Sequence, residues 1–212
     1  AIHTSPLTTY SQTADFIFTR VIARVAVPFF FMVTGFFVLS KGTDVRRFLK
    51  KTAIIYAASA ALYLPINVYA GHLQSWDMID LVQQVFFEGT FYHLWYLPAA
   101  ILGAWLTWKL MRRLSSGACL AAVAVLYLLG LLGDSYWGLV ENVPVICSVY
   151  NALFALMGYT RGGLFFAPIF MWLGAQLRYA KPRGTGFEIA GLIVSFALML
   201  AEALNARAQG WQ

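Results

Sequence analysis

Six apolar runs, near residues 16–40, 48–69, 93–111, 117–133, 163–179 and 186–206, leave this chain little freedom of fold. Each approaches the 20 or so mostly apolar residues that a helix needs to cross the hydrocarbon core of a bilayer. Lipid offers an exposed backbone no hydrogen bonds, so only helices and closed barrels survive there, and these runs are far longer than barrel strands. The expected fold class is all-α: a polytopic transmembrane helical bundle of about six complete spans, with residues 1–7 as the tail of an earlier helix. Composition agrees, since 60% of the 212 residues are hydrophobic and only 11% charged, with a mean hydropathy of +0.69. A soluble domain carries nearer a quarter charged residues.

The net charge of +6 alone is compatible with a nucleic-acid partner. Its distribution points elsewhere. Lys41, Arg46, Arg47, Lys50 and Lys51 lie between the first two runs or in the adjoining run end, Lys109, Arg112 and Arg113 likewise at the third and fourth, and Arg178, Lys181 and Arg183 at the fifth and sixth. Eleven of the fifteen Lys and Arg residues thus fall on one side, which the positive-inside rule assigns to the cytoplasm. Asp77, Asp80, Glu88, Asp134 and Glu141 occupy the other loops, and residues 1–15 are expected outside the cell. The partner this implies is the bilayer, with no nucleic acid. The chain opens Ala1-Ile2-His3 without an initiator Met, a basic n-region or a small-residue cleavage site, and it reads as a single integral membrane domain, residues 1–212, cut from a longer chain.

Polar chemistry and membrane burial meet in Arg20-Val-Ile-Ala-Arg24-Val-Ala-Val-Pro28-Phe-Phe-Phe31-Met-Val-Thr34-Gly35-Phe-Phe. At helical spacing Arg20 and Arg24 share a face. Cations on a membrane helix turn toward a partner or a wet cavity, or else snorkel to the headgroups, and both readings stand for these two. Pro28 has no N–H, so the carbonyl of Arg24 loses its helical partner and a kink is expected there. Pro65 and Pro98 act in the same way on the carbonyls of Ala61 and Leu94, so their helices are expected to bend in the outer half.

Two segments between the runs have character of their own. In Trp76–Glu88, Trp76, Ile79, Val82 and Phe86 recur at helical spacing, as in a short amphipathic helix on the outer surface, either a plain connector or a lid. Residues 144–160 are apolar, but a crossing there would put Arg178, Lys181 and Arg183 outside, so the segment reads as interfacial or re-entrant. Cys119 and Cys147 fall near opposite membrane faces, too far apart for a disulfide. No Cys or His spacing of metal-binding type occurs, and no nucleotide loop or Ser-His-Asp order.

The polar groups on the outer side are His3, Arg20, Arg24, Asn67, Glu88, His93, Tyr96, Tyr150, Asn151 and Arg161. A histidine titrates near neutral pH and can serve as a general base, and arginines beside it would hold phosphate, carboxylate or a developing oxyanion. His3 is the one histidine at an apparent helix end, where a purely structural hydrogen-bonding role is the alternative.

Ile2-His3, the Arg24-Val-Ala-Val-Pro28-Phe-Phe-Phe-Met-Val-Thr34-Gly35 core, His93-Leu-Trp-Tyr-Leu-Pro98 and Thr160-Arg161-Gly-Gly163-Leu-Phe-Phe together resemble acyltransferase family 3, the integral membrane O-acyltransferases. Within that family they are similar to the branch that includes the membrane half of vancomycin-resistance serine racemases. The resemblance implies about ten membrane helices, so the chain would lack helices at both ends. It implies transfer of an acyl group, usually acetyl from acetyl-CoA, to a cell-envelope hydroxyl on polysaccharide or peptidoglycan, with acyl-CoA as donor substrate and no bound cofactor. By the same resemblance His3 and Arg24 are the catalytic candidates, His3 as the base, with Arg20 and Arg161 beside Arg24 at the donor or oxyanion; Glu88, Tyr150 and Asn151 complete the expected substrate-binding set. The racemase branch carries an alternative, a membrane module that supplies L-serine to a fused racemase domain, and broken helices with polar groups at mid-depth suit it. A purely structural scaffold would leave His3 and Arg24 without a role.

Overall fold

The structure, a computed structural model, describes residues 7–41, 44–71, 78–90, 94–160, 162–182 and 184–208. These residues form α-helices joined by short turns, with no strand among them. The helices are α1 (Gln12–Ile17), α2 (Ala26–Thr34), α3 (Val45–Tyr69), α4 (Met78–Gln83), α5 (Tyr96–Arg113), α6 (Ser116–Leu132), α7 (Pro144–Met157), α8 (Ala167–Leu177) and α9 (Thr185–Ala208).

Local sequence explains most of the helix ends. Ser11 and Ser115 cap α1 and α6, their hydroxyls accepting the N–H of Ala14 at 3.2 Å and of Ala118 at 3.4 Å. Pro144 opens α7, where its missing N–H costs nothing, and Gly158 closes it at φ +74°. Between α1 and α2 the backbone stays helical but irregular, with a wide π turn at Phe18–Ile22 and a tight 3₁₀ turn at Ala23–Val25. The expected break is therefore present, and it covers both arginines ahead of Pro28. A second wide turn, Gly35–Leu39, ends α2.

The other two prolines sit differently. Helix α3 continues across Pro65 as one element. Helix α5 begins at Tyr96, so Pro98 lies in its first turn, where no helical donor is missed, and the Leu94 carbonyl accepts the N–H of Leu97 at 3.0 Å. Helix α3 also starts earlier than the apolar run, taking Arg46, Arg47, Lys50 and Lys51 into its first two turns. Among the described residues two stretches are long and apolar enough to cross a membrane, Val45–Tyr69 and Thr185–Asn205; Ala23–Leu39, Ser116–Leu132, Pro144–Met157 and Ala167–Leu177 are shorter apolar helices. Against six complete spans this is the coarser result: charged ends and broken turns shorten the regular helices at both sides of the runs.

The chain divides into two compact units, Ala1–Phe30 with Tyr179–Gln212, and Phe31–Arg178. In the larger unit, the end of α2 with its wide turn packs on α8, and α5 lies against α8 and α3. Glycines permit this closeness. A Cβ on Gly35 would collide with the Met171 carbonyl, and one on Gly174 with that of Met32. Backbones touching across small residues is how helices associate in lipid, where burial of apolar side chains gives no net drive.

Ring contacts give the directions. Phe31 stacks on Tyr96 with centroids 5.0 Å apart and meets Phe166 at 6.2 Å, while Arg178 lies 5.5 Å over Phe36. The end of α2, α5 and α8 therefore run parallel. Helix α6 runs the opposite way, with Cys119 and Val123 packed on Trp172 and Gly130 facing Phe165. In the smaller unit α9 packs on the Phe18–Ile22 turn, and the Asp15 carboxylate accepts the N–H of Leu7 at 2.8 Å.

Candidate functional site

One end of the larger unit collects the end of α3, α4 and its continuing wide turn Gln84–Glu88, the start of α5, the end of α6, and α7. The polar side chains there are mostly engaged with backbone. Tyr56 on α3 donates to the Val85 carbonyl at 2.8 Å and accepts from the Thr90 N–H at 3.2 Å. Asn67, buried near the end of α3, donates to the Thr90 carbonyl at 2.7 Å. The Thr90 hydroxyl is buried and meets no partner. These bonds fix the turn after α4 against α3.

Across from that turn stands α7. Gln83 donates its amide to the Ala155 carbonyl, and Glu88 lies against Gly158 so closely that its Oε1 occupies the space a Cβ would need. The other carboxylate oxygen, Oε2, accepts the Gln84 amide at 2.6 Å. Burial raises the Glu88 pKa above the usual carboxylate value, and the negative charge of Asp80 adds to the rise. A carboxyl of this kind holds its proton more readily than an exposed one and offers an acceptor to a hydroxyl or ammonium group.

Tyr150 is bonded to α6. Its hydroxyl donates to the Leu129 carbonyl at 2.7 Å, and its ring packs on Trp137 and Phe154. Thr160 donates to the Gly130 carbonyl at 2.9 Å, so the segment from α7 to Thr160 is tied to the last turn of α6. Asn151 is exposed and donates to Cys147 Sγ at 3.5 Å. Both cysteines are free thiols.

Of the residues the sequence singles out, Glu88 and Tyr150 come to this end on adjoining elements, and Asn151 stands on the outer face of α7. Arg24 lies in the tight turn of the smaller unit, with its side chain exposed. His3, His93 and Arg161 lie outside the described residues, as does the side chain of Arg20. Sequence reasoning missed Gln83, Gln84, Tyr56 and Gly158. Only Gly158 carried a signal, a glycine directly after an apolar helix. The others matter through contacts between segments far apart in the chain.

The described residues are all helical or in turns, long apolar side chains stay exposed along the helices and most charged side chains sit at helix ends and turns, the pattern of a helical membrane protein. The chain belongs to the acyltransferase domain family, whose model matches residues 1–206. It is 43% identical over 210 residues to an amino-acid racemase of Enterococcus faecalis, covering 97% of this chain and 30% of that protein. A second amino-acid racemase of the same organism is 38% identical over 203 residues, with 91% and 29% covered. A serine/alanine racemase of Enterococcus gallinarum is 37% identical over 189 residues, with 84% and 27% covered. The chain thus spans about 30% of the length of these curated relatives. No solved structure matches it.

Proposed function

We propose that this chain is a multi-pass membrane acyltransferase domain that moves an acyl group, acetyl in the simplest case, from a CoA donor to a hydroxyl of the cell envelope. The observation that carries this reading is the family match over residues 1–206. In this reading His3 deprotonates the acceptor hydroxyl, while Arg24, with Arg20 and Arg161, holds the donor or the oxyanion formed when the hydroxyl attacks the thioester carbonyl. Glu88, Tyr150 and Asn151 belong to the acceptor side. The basic loops face the cytoplasm, so the donor arrives from the side that holds CoA and the acceptor from outside.

The relatives favour a second reading. All three are named racemases, and each extends well beyond the length matched here. In that case the chain is the membrane module of such a protein and delivers an amino acid, L-serine, to a soluble racemase domain. An arginine would then hold the substrate carboxylate rather than a thioester oxyanion.

The deciding experiment measures transfer of labelled acetyl from acetyl-CoA to envelope material in membranes holding the full-length parent protein, beside its His3→Ala and Arg24→Ala forms at equal expression. Transfer by the parent and its loss in both variants supports the first reading. A parent that transfers nothing, yet takes up L-serine in the same vesicles, replaces it with the second.

A further inference from the structure

Helix α5 finishes at the opposite end of the larger unit from Glu88, and it finishes in cations: Lys109, Arg112 and Arg113. Two of them converge on one ring. The Lys109 ammonium lies 5.8 Å from the centroid of the Trp108 ring, and the Arg112 guanidinium 5.1 Å from it. An indole face attracts a cation, but two cations gathered at one indole repel each other. Neither forms an ion pair among the described residues. The carbonyl end of α5 offsets part of this charge, yet a helix dipole is worth roughly half an elementary charge against three cations here. The surplus calls for an anion.

The face that carries the cluster selects the kind of anion. Gly103 and Thr107 lie on the buried side of α5, where Gly103 meets Ala167 of α8. Trp105, Trp108 and Arg112 recur at helical spacing on another side. Trp105 is 45% exposed and Arg112 is exposed, so the described helices leave this face open. In a bilayer an open helix face meets lipid. Trp105 stands about 10 Å along the axis from Arg112, at 1.5 Å per residue, at the depth of acyl chains when Arg112 is level with phosphates. A soluble phosphate gains nothing from that ring, whereas a phospholipid is held at both its head and its chains. Exposed Lys41, Arg46, Arg47, Lys50 and Lys51 lie toward the same end of the unit, with Asp44 the one carboxylate there among the described residues. Their field adds to the attraction.

We propose that Trp108, Lys109 and Arg112 bind the phosphate of an anionic phospholipid in the leaflet that the basic loops face, with Trp105 against its chains. Basic pockets beside membrane helices hold such head groups. The site stands apart from the acyl-transfer and serine readings and holds under either.

The test follows the unfolding midpoint of the full-length parent in nonionic detergent as phosphatidylglycerol, phosphatidylcholine, inorganic phosphate or CoA is added. Phosphatidylglycerol is expected to raise the midpoint, and the other three are not. Lys109→Gln combined with Arg112→Gln is expected to need about 30-fold more phosphatidylglycerol for the same rise, and Arg112→Gln alone about fivefold more, at the usual worth of one cation near an anionic surface. Arg46→Gln combined with Lys50→Gln removes the same charge from α3 and is expected to change the requirement several-fold less. No rise with phosphatidylglycerol, an equal rise with phosphatidylcholine, or equal losses in the two double variants overturns the site and leaves a diffuse basic surface. A rise with inorganic phosphate or CoA that the α5 double variant abolishes assigns the cluster to a soluble phosphate instead. If a double variant does not fold, the single variants Arg112→Gln and Arg46→Gln carry the same comparison.

Discussion

At the scale of single residues, the contact between Glu88 and Gly158 leaves little room for change. Gly158 adopts φ +74° and ψ −52°, a conformation closed to other residues at reasonable cost, and the Glu88 carboxylate fills the space beside its Cα. Gly158→Ala is expected to destabilise the protein by roughly 2 kcal/mol from backbone strain, and more once Glu88 is displaced, measured as a lowered unfolding midpoint in detergent. The carboxylate itself sets a pH dependence. Burial, and then Asp80, raise the Glu88 pKa in the fold, so the folded state favours the protonated form. Its contribution is therefore most favourable below the unfolded value near 4.5 and is lost as pH rises through the raised value. Glu88→Gln is expected to flatten this part of the profile and to raise stability at neutral pH, which thermal unfolding between about pH 4 and 8 reads directly.

At the scale of elements, α7 owes its place to the end of α6. Tyr150 and Thr160 each donate to a carbonyl there, but the two bonds differ in worth. The Leu129 carbonyl also accepts the N–H of Gly133 at 3.2 Å, whereas for the Gly130 carbonyl Thr160 is the donor the structure shows. Tyr150→Phe is expected to cost about 1 kcal/mol, and Thr160→Val up to about 3 kcal/mol, because only the second leaves a buried acceptor unpaired. Unfolding midpoints of the two variants give the comparison, and equal losses would refute the distinction. Helices α2, α5 and α8 are held otherwise, by reciprocal glycine contacts. Gly174→Ala is expected to lose about 1–3 kcal/mol of stability, since Met32 meets it with backbone rather than a movable side chain.

At the scale of the molecule, the exposed apolar surface and the charged loops decide how the chain lies in a bilayer. Long hydrophobic side chains cover α9 and much of α3 and α7, and lipid is the solvent that makes such exposure tolerable. If the basic loops are cytoplasmic, α7 lies at the outer face. A membrane-impermeant maleimide added outside intact cells is then expected to label Cys147, which is half-buried, and to spare Cys119, which is only 1% exposed, until the protein is denatured. Labelling of Cys147 only after the membrane is broken would reverse the orientation.

Much of this architecture was legible in the chain before any coordinates. Apolar run length dictates helices because lipid satisfies no backbone group, and the six runs correspond to α1 with α2, α3, α5, α6, α8 and α9 to within a few residues at most ends, though fewer of these are long enough to span than the runs suggest. Pro28 likewise locates the broken turn at Arg20 and Arg24, because a missing N–H is a local fact. Pro98 shows the limit: whether a proline interrupts a helix or begins one depends on where the helix starts, which the proline by itself does not tell. The contact of Glu88 with Gly158 and the bond of Tyr150 to the Leu129 carbonyl of α6 join residues far apart in sequence. Helical periodicity tells which residues share a face of one helix; which face meets which neighbour is decided only when whole helices pack, where close backbone approach at a few glycines selects one arrangement.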